Sequence, residues 1–168
     1  MKTNIALIGF MGAGKTAVGR LLSKRLGKEL VELDSLIEQK AGKSIPDIFS
    51  QGGEVAFRQL EIEVIGEVAG NSNQVIACGG GVVLNQINVD RLKEGAVVVY
   101  LTASPEVILQ RVSEDSSVRP LLENKNKEKT IRELLASRKS LYERAADIEL
   151  DTSEIDIETV AEQVIARL

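Results

Sequence analysis

One stretch near the start of the chain has the residue types and spacing for phosphate chemistry. Gly9-Phe-Met-Gly-Ala-Gly-Lys-Thr16 fits the pattern G-x-x-x-x-G-K-[ST] at every fixed position. Glycines let the backbone curl so that successive N–H groups point inward at phosphate oxygens. The N-terminus of a following helix adds partial positive charge. Lys15 would reach the β- and γ-phosphates of a nucleoside triphosphate, and Thr16 would offer its hydroxyl to Mg²⁺. Gly12, Ala13, Gly14, Lys15, Thr16 and Ala17 are therefore the candidate ATP ligands.

The remaining chemistry is constrained by what the chain lacks. There is no histidine and a single cysteine, Cys78. A zinc site is short of its usual ligands, and a general base must be a carboxylate or an unusual lysine. One cysteine excludes a disulfide within the chain and suits a reducing cytoplasm. A net charge of −4 argues against nucleic acid as a partner. No apolar run reaches the ~20 residues that span a bilayer, and no signal sequence is expected, because the apolar stretch from Asn4 meets a glycine loop at Gly9.

The elements that must position the loop are legible as alternation. With 168 residues, 43% of them hydrophobic, one domain with a full core is expected. Short apolar runs at Ile5–Ile8, Leu30–Leu33, Gln74–Ala77, Ala96–Leu101 and Ile148–Leu150 read as five strands. Between them lie helical patterns. One carries Val18, Leu21, Leu22 and Leu26 and stops at Gly27; a second is capped by Asp34 and ends near Gly42. Ser44-Ile-Pro-Asp47 has capping-box spacing. Gly53 to Gly70 is a longer helix with Val55, Leu60, Val64 and Val68 inward. Further helices are expected over Asn85–Lys93, from Ser104-Pro105 to about Val112, from about Thr130 to Ala146, and over Ile155–Leu168. The polar, charge-rich stretch 114–128 is the candidate mobile loop. The alternation implies an α/β fold with a parallel sheet covered on both faces.

Beyond the P-loop, an ordered set of residues spans nearly the whole chain. It comprises Gly19-Arg20, Asp34 with Ile37-Glu38, Gly53-Glu54, Phe57-Arg58 with Glu61, the triple glycine 79–81, Arg119-Pro-Leu-Leu122, and Arg138 with Leu141-Tyr142. With these motifs the sequence resembles the shikimate kinases. The resemblance implies a P-loop NTPase fold like that of the nucleoside monophosphate kinases. That fold is a three-layer sandwich with a central five-stranded parallel sheet and a mobile lid at about 114–128. It implies a single domain over 1–168, with acceptor-binding helices at about 34–61. It further implies transfer of a phosphoryl group from Mg-ATP to the 3-hydroxyl of shikimate, within chorismate and aromatic amino-acid synthesis, by a cytoplasmic monomer. Asp34 would accept a hydrogen bond from the reacting hydroxyl. Arg58 and Arg138 would hold the acceptor's carboxylate, with Glu61 orienting Arg58. Gly79, Gly80 and Gly81 would let the backbone approach the ring. Lys15, Asp34 and Arg119 would be the catalytic set, Arg119 closing over the transferring group, and Arg111 would lie near the adenine.

The chain departs from the family pattern at three points. Glu32-Leu33-Asp34 replaces a usual D-x-D, so the acid that helps hold the metal's water shell, Glu32, is one methylene longer. Cys78 replaces a hydroxyl residue before the triple glycine and reads as a buried, structural thiol. Arg138-Lys-Ser-Leu-Tyr142 lacks a usual proline. Taken singly, Asp34 as a helix cap, Arg58 as an ion-pair partner of Glu54 and Glu61, and Arg111, Arg119 and Arg138 as solvated charges have plainer readings. Another small-molecule kinase of this fold, such as a gluconate kinase, and a non-catalytic ATP-binding module are the alternatives.

Overall fold

The computed structural model describes residues 1–115, 119–122 and 126–168. Five strands, β1 (Asn4–Ile8), β2 (Glu29–Glu32), β3 (Gln74–Ala77), β4 (Ala96–Thr102) and β5 (Ile148–Asp151), form one sheet in the order β2-β3-β1-β4-β5. Every pairing is parallel, with β1 between β3 (Ala6 opposite Ile76) and β4 (Ala6 opposite Val98). Composition explains the order. Asn-Ile-Ala-Leu-Ile8 and Gln-Val-Ile-Ala77 are buried at every position, as interior strands covered on both faces must be. The edge strands β2 and β5 carry Glu29, Glu32, Glu149 and Asp151 beside single buried residues, Val31 and Leu150.

Alternate side chains of β1 leave opposite faces of the sheet. Ile5 and Leu7 pack against α1 (Lys15–Leu26) and α7 (Ile157–Arg167) through Val18, Leu22, Val160 and Val164. Ala6 and Ile8 join a second layer built by α2 (Leu33–Ala41), α3 (Ile45–Val68), α4 (Gln86–Gly95) and α6 (Lys127–Ala145). The result is the expected three-layer sandwich. A smaller cluster, Phe10 with Ile108, Val112, Leu122 and Ile131, ties the P-loop to α5 (Pro105–Glu114) and α6. No helix among the described residues is long and apolar enough to cross a membrane.

Three expectations need correction. The second strand ends at Glu32, and Leu33 already begins α2. Glu32 thus occupies the N-cap position of α2, without a side-chain capping bond, and Asp34 lies in the first helical turn with its carboxylate available for other work. Val55 is 82% exposed rather than inward. Gly53, with φ of 71° and ψ of −176°, interrupts α3 before it. In the segment after Gly53, Phe57, Glu61, Val64 and Val68 face inward, and Val55 lies about 180° round the helix from Val64, on the outer face. The expected lid is covered only in part, because 116–118 and 123–125 lie outside the described residues.

Candidate active site

In a sheet of this order the loops after β1 and β3 diverge, since one chain crosses toward β2 and the other toward β4. The crevice between their C-terminal ends is where such sheets bind ligands. The P-loop follows β1 and the triple glycine follows β3, so the two glycine loops face each other across it. Gly9, Gly12 and Gly14 take φ values of 146°, 78° and 97°. A Cβ at Gly9 would stand 2.4 Å from the carbonyl oxygen of Leu101. Gly14 caps α1 without a side-chain acceptor, leaving first-turn N–H groups available to an anion. The Lys15 ammonium lies back along its own loop, donating to the carbonyls of Gly9 (2.6 Å) and Phe10 (2.9 Å). Burial pushes it down to about 8, against the opposing pull of the Asp34 carboxylate.

Two clefts meet at this point. One, of about 380 Å³, is walled by Gly12, Gly14, Lys15, Ala17 and Glu32. The other, of about 670 Å³, is walled by Glu38, Ile45, Pro46 and Phe49 of α2 and α3. Met11, Thr16, Asp34, Gly80, Asp115 and Arg119 line both. The first has the P-loop's phosphate-binding character, and the second is a separate chamber that opens onto the same carboxylate. Burial raises the Asp34 carboxyl above the usual range, with Lys15 and then Arg119 pulling the other way. That makes Asp34 a stronger base than a surface aspartate.

The glycine loop after β3 is hemmed in by charged side chains. A Cβ at Gly79 would sit 3.0 Å from Asp34 Oδ1 and 3.3 Å from Glu61 Oε2. One at Gly80 would sit 3.3 Å from the Met11 nitrogen and 3.7 Å from Arg138 Nη1. One at Gly81 would overlap the Arg58 guanidinium. Arg58 is held from both sides, donating to Glu54 at 3.1 Å and to Glu61 at 3.2 Å. Glu61 is 1% exposed, and burial raises its carboxyl, with Arg58 opposing. Arg138 is also buried, its guanidinium 5.9 Å over the Phe10 ring. Its Nη1 has no hydrogen-bond partner among the described residues. A buried donor without a partner is costly, and an incoming carboxylate would supply one. The loop is pinned by Tyr142, whose hydroxyl donates to the Gly80 carbonyl.

The structure therefore gathers Lys15, Thr16, Asp34, Gly80 and Arg119 at the junction. Arg58 and Arg138 lie against the glycine loop, Arg58 at Gly81 and Arg138 at Gly80. Glu32 lines the phosphate cleft with Thr16, and its carboxylate meets Arg20 at 3.6 Å. Arg119 pairs with Asp115 at 2.7 Å. Cys78 is buried, and burial holds its thiol well above the usual range, so it is inert. Arg111 is no loose surface charge. Its guanidinium donates to the Gly12 carbonyl (3.0 Å) and to the hydroxyl (3.1 Å) and carbonyl (2.9 Å) of Thr152. Thr152 and the pinning role of Tyr142 were not legible in the sequence. A lone threonine after a short strand carries no pattern of its own; the signal available was its place at the C-terminal end of a strand parallel to β1.

Comparison with known proteins agrees with this geometry. The shikimate kinase family model matches residues 11–168. A shikimate kinase of Thermodesulfovibrio yellowstonii is 48% identical over 162 residues, covering 96% of this chain and 92% of the relative. One of Caldanaerobacter subterraneus is 46% identical, covering 96% and 94%. Among solved structures, a shikimate kinase from Acinetobacter baumannii in complex with shikimate superimposes with a TM-score of 0.95 at 40% identity, covering 99% of this chain and 93% of that one. With its fold, its crevice and its sequence in agreement, the chain belongs to the shikimate kinase family.

Proposed function

We propose that this chain transfers the γ-phosphoryl group of ATP to the 3-hydroxyl of shikimate, giving shikimate 3-phosphate and ADP. The observation that carries this reading is the meeting of the two clefts at Asp34, Gly80 and Arg119. A phosphate-binding chamber and an acceptor chamber that share a carboxylate and a guanidinium have the arrangement in-line transfer needs.

In the transfer, the bond from phosphorus to the β–γ bridging oxygen breaks and a bond to the 3-oxygen forms. The hydroxyl proton passes to the Asp34 carboxylate late in the step, and ADP departs. Lys15 leaves the Gly9 and Phe10 carbonyls for the phosphates, and it and Arg119 neutralise charge on the phosphoryl oxygens. Arg58 and Arg138 hold the shikimate carboxylate, with Glu61 fixing Arg58, while Gly79, Gly80 and Gly81 allow close approach. Gly12, Ala13, Gly14, Thr16 and Ala17 bind the phosphates, and Arg111 lies beside the adenine. Thr16 and Glu32 line one wall with Asp34, a donor set that suits Mg²⁺ held by a hydroxyl, phosphate oxygens and water. When bound, Mg²⁺ supplies charge neutralisation on the phosphates. We read 1–168 as one domain with a lid at about 114–128 and acceptor helices at about 34–61, acting as a cytoplasmic monomer in aromatic amino-acid synthesis.

ADP release from Mg-ATP tests this with shikimate, with gluconate and with no acceptor. Strong release with shikimate alone is expected. Equal release in all three arms would leave only a nucleotide-binding protein.

A further inference from the structure

Thr152 is 3% exposed and sits directly after β5, where its backbone N–H donates to the Thr102 carbonyl at 2.8 Å. Its hydroxyl lies 2.9 Å from the Thr102 carbonyl, 3.2 Å from the Ala13 carbonyl and 3.1 Å from Arg111 Nη1. A hydroxyl has one proton to give and lone pairs to accept with, so it shares its proton between the two carbonyls while accepting from Arg111. Arg111 also reaches the Gly12 carbonyl at 3.0 Å and the Thr152 carbonyl at 2.9 Å. Two consecutive P-loop carbonyls, Gly12 and Ala13, are thus fixed from outside by one buried side chain and the arginine it holds.

We propose that Thr152 is a positioning residue for nucleotide binding, orienting the P-loop backbone and Arg111 without touching the nucleotide itself. The physical reason is the planarity of the peptide. In a trans unit the C=O and the following N–H point in opposite directions, so holding the Ala13 carbonyl toward Thr152 turns the Gly14 N–H to the other side. Gly14 lines the phosphate cleft. The bonds of Arg111 on Thr152 likewise leave its guanidinium few ways to turn, on the wall of that same cleft. The same threonine joins the end of β5 to the end of β4, so sheet closure and phosphate-loop geometry are coupled at one hydroxyl. This deepens the kinase reading but requires only that the P-loop binds a nucleotide.

The test is calorimetric titration with Mg-ADP, which needs no acceptor and no turnover. Thr152→Val keeps the shape and removes the hydroxyl, leaving the Ala13 carbonyl and Arg111 short of a partner. Its ADP affinity is expected to fall roughly tenfold, with Thr152→Ser recovering to within about threefold of the parent. In steady state, KM for ATP rises while KM for shikimate stays within about twofold. If Thr152→Val does not fold, the comparison of Thr152→Ser with Thr152→Ala isolates the same hydroxyl, Ser being expected to bind ADP roughly tenfold more tightly. Wild-type ADP affinity in Thr152→Val, or equal affinities of the Ser and Ala variants, would overturn the proposal even if melting temperatures fell. Acceptor-independent ADP release by the parent would instead refute the kinase reading and leave this one standing.

Discussion

Gly81 offers a sharp test of how the acceptor side is built, because its backbone does not require glycine. Its φ of −101° and ψ of 10° are open to alanine. What excludes a side chain is Arg58. A Cβ there would stand 2.3, 2.4 and 2.5 Å from Arg58 Nη1, Nη2 and Cζ, whereas ordinary contact begins at 3.4 Å. The guanidinium must therefore retreat by about 1 Å (3.4 against 2.4 Å), out of the position set by Glu54 and by the buried Glu61. A misplacement of about 1 Å in a group that positions substrate costs roughly 100-fold, or about 2.7 kcal/mol of transition-state stabilisation. Gly81→Ala is thus expected to lose about two orders of magnitude in kcat/KM for shikimate. ADP affinity should stay within about twofold, because the nucleotide is held on the opposite side of the crevice. Initial rates over a shikimate series at saturating Mg-ATP, with ADP titration alongside, measure both. A variant that folds and keeps kcat/KM for shikimate within threefold would refute the claim that this loop sets Arg58 for the carboxylate.

Other outcomes follow from the same geometry. Asp34→Asn keeps ATP binding but loses roughly 10²–10⁴ in turnover, since the amide cannot take the hydroxyl proton; rates near the parent's would remove Asp34 from the chemistry. Nucleotide affinity should fall as pH rises through about 8. The sign follows from which form binds: the folded Lys15 is held below its ordinary value, the charged form meets the phosphates, and deprotonation above that pH removes the attraction. A binding profile flat from pH 7 to pH 10 would contradict this. Cys78→Ala should retain turnover within about threefold while costing stability on the order of 1 kcal/mol, from the small void it leaves; loss of activity at unchanged stability would give the thiol a chemical role.

The phosphate half of the site was legible in the sequence because its determinants are local. Gly9, Gly12 and Gly14 take positive φ values that favour glycine, so the loop's curl is written in its own residue types. The central strands were legible for a related reason, since beyond Asn4 and Gln74 at their starts these runs, buried on both faces, are continuously apolar. The misses have other causes. Val55 was placed inward with Leu60, Val64 and Val68, but 3.6 residues per turn set it on the face opposite Val64. Asp34 reads as a cap from its neighbours, but α2 begins one residue before it, at Leu33, and leaves it in the first turn. Arg111 and Thr152 find each other across 41 positions, from helix α5 to the end of the last strand. Such a pairing leaves no mark on spacing. Arg58 looked like a simple ion-pair partner of Glu54 and Glu61, and it is one. What the sequence could not display is that the same pairs hold its guanidinium against the glycine loop.

The central claim is phosphoryl transfer to one hydroxyl of shikimate at the junction of two clefts. The most direct measurement is phosphorus–proton NMR of the product formed from Mg-ATP and shikimate. A single phosphate ester signal coupled to the ring proton at carbon 3, appearing in step with ADP, is the predicted result. ADP accompanied by inorganic phosphate, or an ester at another hydroxyl, would contradict it.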